Sequence, residues 1–171
     1  MMQITRRRAV GLAALSLPFL RFRPARAASA TVKVSLWDKG GSSMDMLGKL
    51  PRMGMAMPGM ADMGRMATMG ITATPDSVAA GDVTFEVTND SEVMIHEMVV
   101  SPVRDAKTPM AYDPGVMKID EDAAGHLGEV AELDYGKAGA LRLPMNPGRH
   151  ILYGNIPGHY VLGMWAFFTV I

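Results

Sequence analysis

The chain has 171 residues, with 17 basic and 17 acidic side chains and no cysteine. Six of the basic residues, all arginine, fall in residues 1–27, a stretch without acids, so the remaining 144 residues carry 11 basic against 17 acidic side chains. That acidic balance gives no basis for a nucleic-acid or anionic-lipid partner, and the missing cysteines exclude both a disulfide framework and a thiolate-bound metal.

At the N-terminus, Thr5-Arg6-Arg7-Arg8 opens an apolar stretch that runs through Leu20 and leads to Ala25-Arg26-Ala27, a small-x-small cleavage pattern. The stretch is too short to span a bilayer. It reads as a cleaved export signal, with paired arginines of the twin-arginine kind. The expectation is removal of residues 1–27, a single exported domain over 28–171, a periplasmic location and no stable membrane anchor.

Residues 31–37 alternate apolar and polar side chains, the period of a half-buried strand. The pattern then dissolves. Residues 38–69 contain six glycines, two prolines and nine methionines and read as a Met/Gly-rich loop insertion between the first two strands. Its glycines and prolines oppose a continuous helix, leaving room for a few turns over 60–69. Val83, Phe85 and Val87 mark the next strand, ended by Asn89-Asp90-Ser91. In the strand predicted at 95–100, His96, Met98 and Val100 share one face while Glu97 and Val99 take the other. A second irregular excursion covers 102–128. Strands are predicted at 129–135, 139–144, 149–154 and 164–171, punctuated by Gly136-Lys137, Pro144, Asn146-Pro147-Gly148 and Pro157-Gly158. The result is an all-β sandwich without a convincing helix. If successive strands alternate in direction, those ending at Trp37 and Asn89 run the same way. The 38–69 loop, His96 and the loop before Met164 then share one end.

Two groups of residues at that end suit a soft metal. Met53, Met55, Met57, Met60, Met63, Met66 and Met69 repeat at Met-x-Met and Met-x-x-Met spacings, and thioethers bind soft ions where free thiols would oxidise. Packing on the core and a low-complexity linker are the structural alternatives for them. The second group is His96 with His159 and Met164, which follow the tight Pro157-Gly158 turn. Two neutral imidazoles and a thioether suit Cu(I) better than Cu(II). The competing reading has both histidines merely closing the sandwich end. Glu97 lies on the wrong strand face for this site, and His126 and His150 read as ordinary surface histidines. Trp37 and Trp165 are expected to pack at this end of the core.

The run Gly154-Asn155-Ile156-Pro157-Gly158-His159 to Met164, the strand Val78 to Asn89, the segment Ile95-His96-Glu97-Met98, and the landmarks Gly128-Glu129-Val130 and Pro147-Gly148 are together similar to the cupredoxins. The resemblance is close to the small periplasmic cupredoxin-like copper-binding proteins rather than to plastocyanin or azurin. The resemblance covers roughly residues 70–171 plus the first strand. It implies a Greek-key β-sandwich with copper at one end, where His96, His159 and Met164 match three of the four ligands. Gly154 stands where the family has its cysteine. Without that thiolate, blue-copper electron transfer is disfavoured. The resulting expectation is a non-enzymatic protein that sequesters or delivers copper, chiefly Cu(I), with a copper-accepting or copper-exporting protein as partner. A metal-free, partner-binding sandwich is the alternative.

Overall fold

The computed structural model describes residues 28–171; the expected export segment lies outside them. The strands are β1 (Ala28–Asp38), β2 (Met69–Thr74), β3 (Ser77–Val78), β4 (Gly81–Asn89), β5 (His96–Pro102), β6 (Tyr112–Asp113), β7 (Lys118–Ile119), β8 (Gly128–Leu133), β9 (Ala138–Met145), β10 (Gly148–Tyr153) and β11 (Trp165–Val170). One sheet has the order β2-β1-β4-β9 and the other β3-β11-β10-β5-β8, with β6 and β7 forming a separate ribbon. The all-β sandwich expected from the alternation is present, with its seven predicted strands displaced by only one to three residues at their ends. Four strands had not been singled out: β2, whose run is short, and the two-residue β3, β6 and β7.

Strand direction follows the parity argument. β1 and β4 pair in parallel, Leu36 opposite Asn89, so both deliver their C-terminal ends to the same edge of the sandwich. Between the sheets, Val32, Val34 and Leu36 from β1 and Val83, Phe85 and Val87 from β4 meet Met98 and Val100 from β5, Leu152 from β10 and Phe168 from β11. Each set has the period of two that puts one strand face inward. Phe85 and Phe168 meet edge to face, centroids 5.2 Å apart.

The second sheet is covered on its outer face as well. Val99, Ile151, Tyr153 and Trp165 are buried there with Met55, Ile119, Tyr160 and Val161. Burial on both faces explains the unbroken apolar runs Met98-Val99-Val100 and Ile151-Leu152-Tyr153. The cover comes from the two irregular segments. Residues 39–68 fold into 3-10 turns at Ser43–Met46 and Met60–Asp62 and a one-turn helix, α1 (Met63–Met66), where a few turns were expected. The 102–128 excursion supplies β6, β7 and a second one-turn helix, α2 (Glu121–Ala124). No helix among the described residues is long and apolar enough to cross a membrane.

Hydrogen bonds tie the methionine-rich segment to the sheet. The Met53 N–H donates to the Val161 carbonyl at 2.9 Å, the Trp165 indole N–H to the Met53 carbonyl at 2.8 Å, and the buried Met55 N–H to the Tyr160 hydroxyl at 2.8 Å. Replacing Tyr160 by Phe leaves that N–H buried without a partner, a loss of about 1–3 kcal/mol. Urea unfolding of Tyr160→Phe is expected to show it, together with faster proteolytic nicking inside 39–68. Unchanged stability and cleavage would mean that the segment is not anchored this way.

Candidate metal centre

His96 and His159 reach the same point from opposite sides of the fold. His96 opens β5 directly after the turn that ends β4. His159 follows the Pro157-Gly158 turn, where Gly158 adopts φ +86°, a left-handed conformation in which glycine avoids a Cβ clash. Both rings are buried, at 0% and 4% exposure. Their Nδ1 atoms lie 3.3 Å apart, and the rings cross at 70° with centroids 5.1 Å apart.

Behind His96 stands a residue the sequence reading passed over. Asp38, the last residue of β1, accepts from His96 Nε2 at 2.9 Å, and its side chain is only 1% exposed. The Gly40 N–H also donates to Asp38, at 2.6 Å. Burial pushes the Asp38 carboxyl up, but hydrogen bonds from Ser91, His96 and Gly40, with the His96 charge, outweigh it and hold the group below the usual carboxylate range. An ionised Asp38 requires a donor, so the proton sits on His96 Nε2 and the Nδ1 lone pair faces His159. Burial depresses the His96 pKa despite Asp38. For His159, burial first and the His96 charge second lower it to about 4, with Asp38 opposing in part. Both imidazoles are neutral at pH 7.

Met164 is fully buried in the main core with Met69 and Met98. Its N–H donates to the His159 carbonyl at 3.1 Å, and its carbonyl accepts from the Gly154 N–H at 3.0 Å, so loop and strand are laced together around Gly154. A Cβ on Gly154 would stand 2.7 Å from the Met164 sulfur and 3.0 Å from its Cγ. The thioether therefore lies in the volume that a side chain at position 154 would need.

The methionines of residues 53–69 divide by location. Met53, Met55 and Met69 are buried, Met55 on the outer face of the second sheet and Met69 in the main core. Met57, Met60 and Met63 are half-buried around Tyr160 and Trp165, and Met66 is half-buried as well. The segment does lie against the residues that follow His159: the Thr68 N–H reaches the Leu162 carbonyl at 3.3 Å. Met44 lies beside the Pro157-Gly158 turn with Leu47, its methyl 3.2 Å from where a Cβ at Gly158 would stand. It belongs to the same run but had not been singled out.

Other expectations fare unevenly. Trp165 is buried in the cluster on the outer face of the second sheet. Trp37 is half-buried outside the main core: its ring lies against Gly70, and its N–H donates to Thr72 across β2. The reason is parity, since Leu36 takes the inward position. Glu97 faces away from His96, as its strand position required, yet its Oε1 is buried without a hydrogen-bond partner. Burial raises its pKa, partly countered by Lys118. His150 is buried, not at the surface, with Nδ1 unpartnered. His126 is exposed.

The nine-strand, two-sheet topology and this loop can be compared with solved structures. An auracyanin from Roseiflexus castenholzii superposes with a TM-score of 0.50 at 14% identity, covering 85% of this chain and 99% of its own. Auracyanin A, a blue copper protein from Chloroflexus aurantiacus, gives 0.51 at 16%, covering 84% and 100%. Rusticyanin from Thiobacillus ferrooxidans gives 0.51 at 14%, covering 84% and 77%. The fold is that of the cupredoxins. No family model and no curated protein matches the sequence. This cupredoxin sandwich contains no cysteine.

Two measurements test the geometry. Gly154→Ala should destabilise by about 1–3 kcal/mol through overpacking, and adding Met164→Ala should recover part of that loss. Strict additivity of the two in a double-mutant cycle would contradict the contact. For His159, whose ordinary pKa is 6.5 and whose folded value is about 4, the unfolded chain takes up the proton first. Stability is therefore highest above pH 6.5, falls between about 6.5 and 4 by on the order of 3 kcal/mol, and levels off below. His159→Gln should flatten that window in denaturant titrations of the metal-free protein; an unaltered slope would assign it to other groups.

Proposed function

We propose that this protein is an exported copper-binding protein that sequesters or delivers copper, chiefly Cu(I), through His96, His159 and Met164, and catalyses no reaction. The observation that carries this is the pair of facing Nδ1 atoms 3.3 Å apart. Two imidazole nitrogens each about 2.0 Å from one ion at a tetrahedral angle are about 3.3 Å apart. Neutral imidazoles are the ligating form, so little deprotonation opposes binding at neutral pH. Asp38 is the supporting partner, fixing the His96 tautomer and ring orientation.

The donor set bears on the oxidation state. Neutral imidazole and thioether donors add no charge of their own to offset that of the ion, which favours Cu(I) over Cu(II). Bound here, copper would be available for ligand exchange without the strong colour of a thiolate centre. The half-buried Met57, Met60, Met63 and Met66 are proposed as weak auxiliary ligands for that exchange, while Met53, Met55 and Met69 serve packing first. A periplasmic location after loss of residues 1–27, and a copper-accepting or copper-exporting protein as partner, complete the proposal. The same Nδ1 contact also fits a metal-free sandwich, in which one ring N–H donates to the other.

Anaerobic Cu(I) competition titration separates the two. His96→Ala and His159→Ala are each expected to weaken the tightest site far more than Asp38→Asn, which should cost about 10–100-fold. No intense visible band should develop on oxidation. Affinity unchanged in both histidine variants would leave the metal-free reading standing.

A further inference from the structure

Away from the histidine pair, one other grouping of metal-binding side chains occurs among the described residues. Glu121, His126 and Glu129 each present a ligand atom, and these atoms all lie within 4.8 Å of one another. They come from three places: the first residue of α2, the link after it and the start of β8. Main-chain bonds hold the arrangement. The Asp120 carboxylate caps α2 by accepting from the Ala123 N–H at 3.0 Å, Gly125 ends the helix at φ +70°, and the His126 N–H returns to the Glu121 carbonyl at 3.1 Å.

A surface group of this kind is often only solvated charge, but a second feature argues otherwise here. Glu97, 8% exposed, has a buried Oε1 with no hydrogen-bond partner. It shares the outer face of the second sheet with Val99, and Val99 is paired with Glu129. The β5–β8 register shifts between His96 and Met98, so Glu97 stands at that irregularity, two residues along β5 from the partner of Glu129. Lys118 counters the burial of Glu97 only in part, and a buried, unsatisfied carboxylate oxygen beside two further carboxylates is costly unless a cation answers it. Among the described residues, none of the salt bridges involves Glu97, Glu121 or Glu129. The Asn155 side-chain amide donates to Glu121 Oε1 at 2.7 Å, which orients that carboxylate without neutralising it. Asn155 belongs to the loop that carries His159.

We propose that Glu121, His126 and Glu129, backed by Glu97, form a second metal site that binds a divalent transition-metal ion. Two carboxylates and an imidazole are harder donors than the histidine–thioether set and select a divalent ion of borderline character, such as Zn(II), over Cu(I). The site is independent of the buried centre in its ligands and is linked to it through the Asn155 loop and through Glu97, the residue after His96.

Zn(II) is the probe, because thioethers hold it weakly and it has no redox chemistry. Calorimetric titration of the purified protein should show one Zn(II) site that His126→Ala and Glu129→Gln each weaken by at least the about tenfold that losing a mere supporting partner costs. His126 and Glu129 are both exposed, so unchanged thermal unfolding of the metal-free variants serves as the folding control. The His96→Ala/His159→Ala double variant should retain the site. Zinc binding that survives His126→Ala, that vanishes only in the double variant, or that is absent up to millimolar metal would overturn the proposal. Each of these outcomes is separate from the Cu(I) result.

Discussion

The hydrogen bond from His96 to Asp38, closed on its other side by His159, is the contact on which the site end of the sandwich depends. It joins the last residue of β1, the first of β5 and the loop before β11. Three distant parts of the chain therefore have to be in register before two imidazoles can face each other. A buried carboxylate with a buried imidazole is costly to leave half-made. The geometry is maintained because Asp38 has a further donor in the Gly40 N–H. The same bond fixes which ring nitrogen of His96 is free, leaving its Nδ1 lone pair facing His159.

Around this contact the fold departs from a two-layer sandwich. The methionine-rich segment and the 102–128 excursion cover the outer face of the second sheet, which makes the loop from Gly154 to Met164 a buried element packed from both sides. The methionines have a double character as a result. Met55, Met57, Met60 and Met63 act as flexible apolar filling around Tyr160 and Trp165. Those only half-buried keep thioethers close to the surface beside the loop. Met164 occupies the volume beside Gly154, so the absent side chain at that position is compensated by packing, not left as a void.

Much of this was legible in the residues. Strict alternation in Val83, Phe85 and Val87, and turn residues such as Asn146-Pro147-Gly148, located seven strands, and parity alone put β1 and β4 parallel. The Pro157-Gly158-His159 turn and His96 marked the right end. Less could be read where tertiary contacts decide. Asp38 looks like an ordinary strand-end carboxylate, because only the parallel pairing of β1 brings it beneath His96. Trp37 was misplaced since its aromatic bulk suggested core, whereas Leu36 holds the inward position. His150 appeared to open a strand at the surface, and its burial comes from neighbouring strands distant in sequence. Glu121, His126 and Glu129 straddle a helix end and a strand start, a juxtaposition that periodicity does not reveal.

The central claim is that His96 and His159 bind copper through their facing ring nitrogens, with a thioether completing the set. X-ray absorption at the copper edge of the Cu(I)-loaded protein reads those donors directly. The account predicts a first shell of two nitrogens and one sulfur that loses nitrogen in His96→Ala and in His159→Ala. A shell of sulfur alone, unchanged in both variants, would place copper on the methionine-rich segment and contradict it.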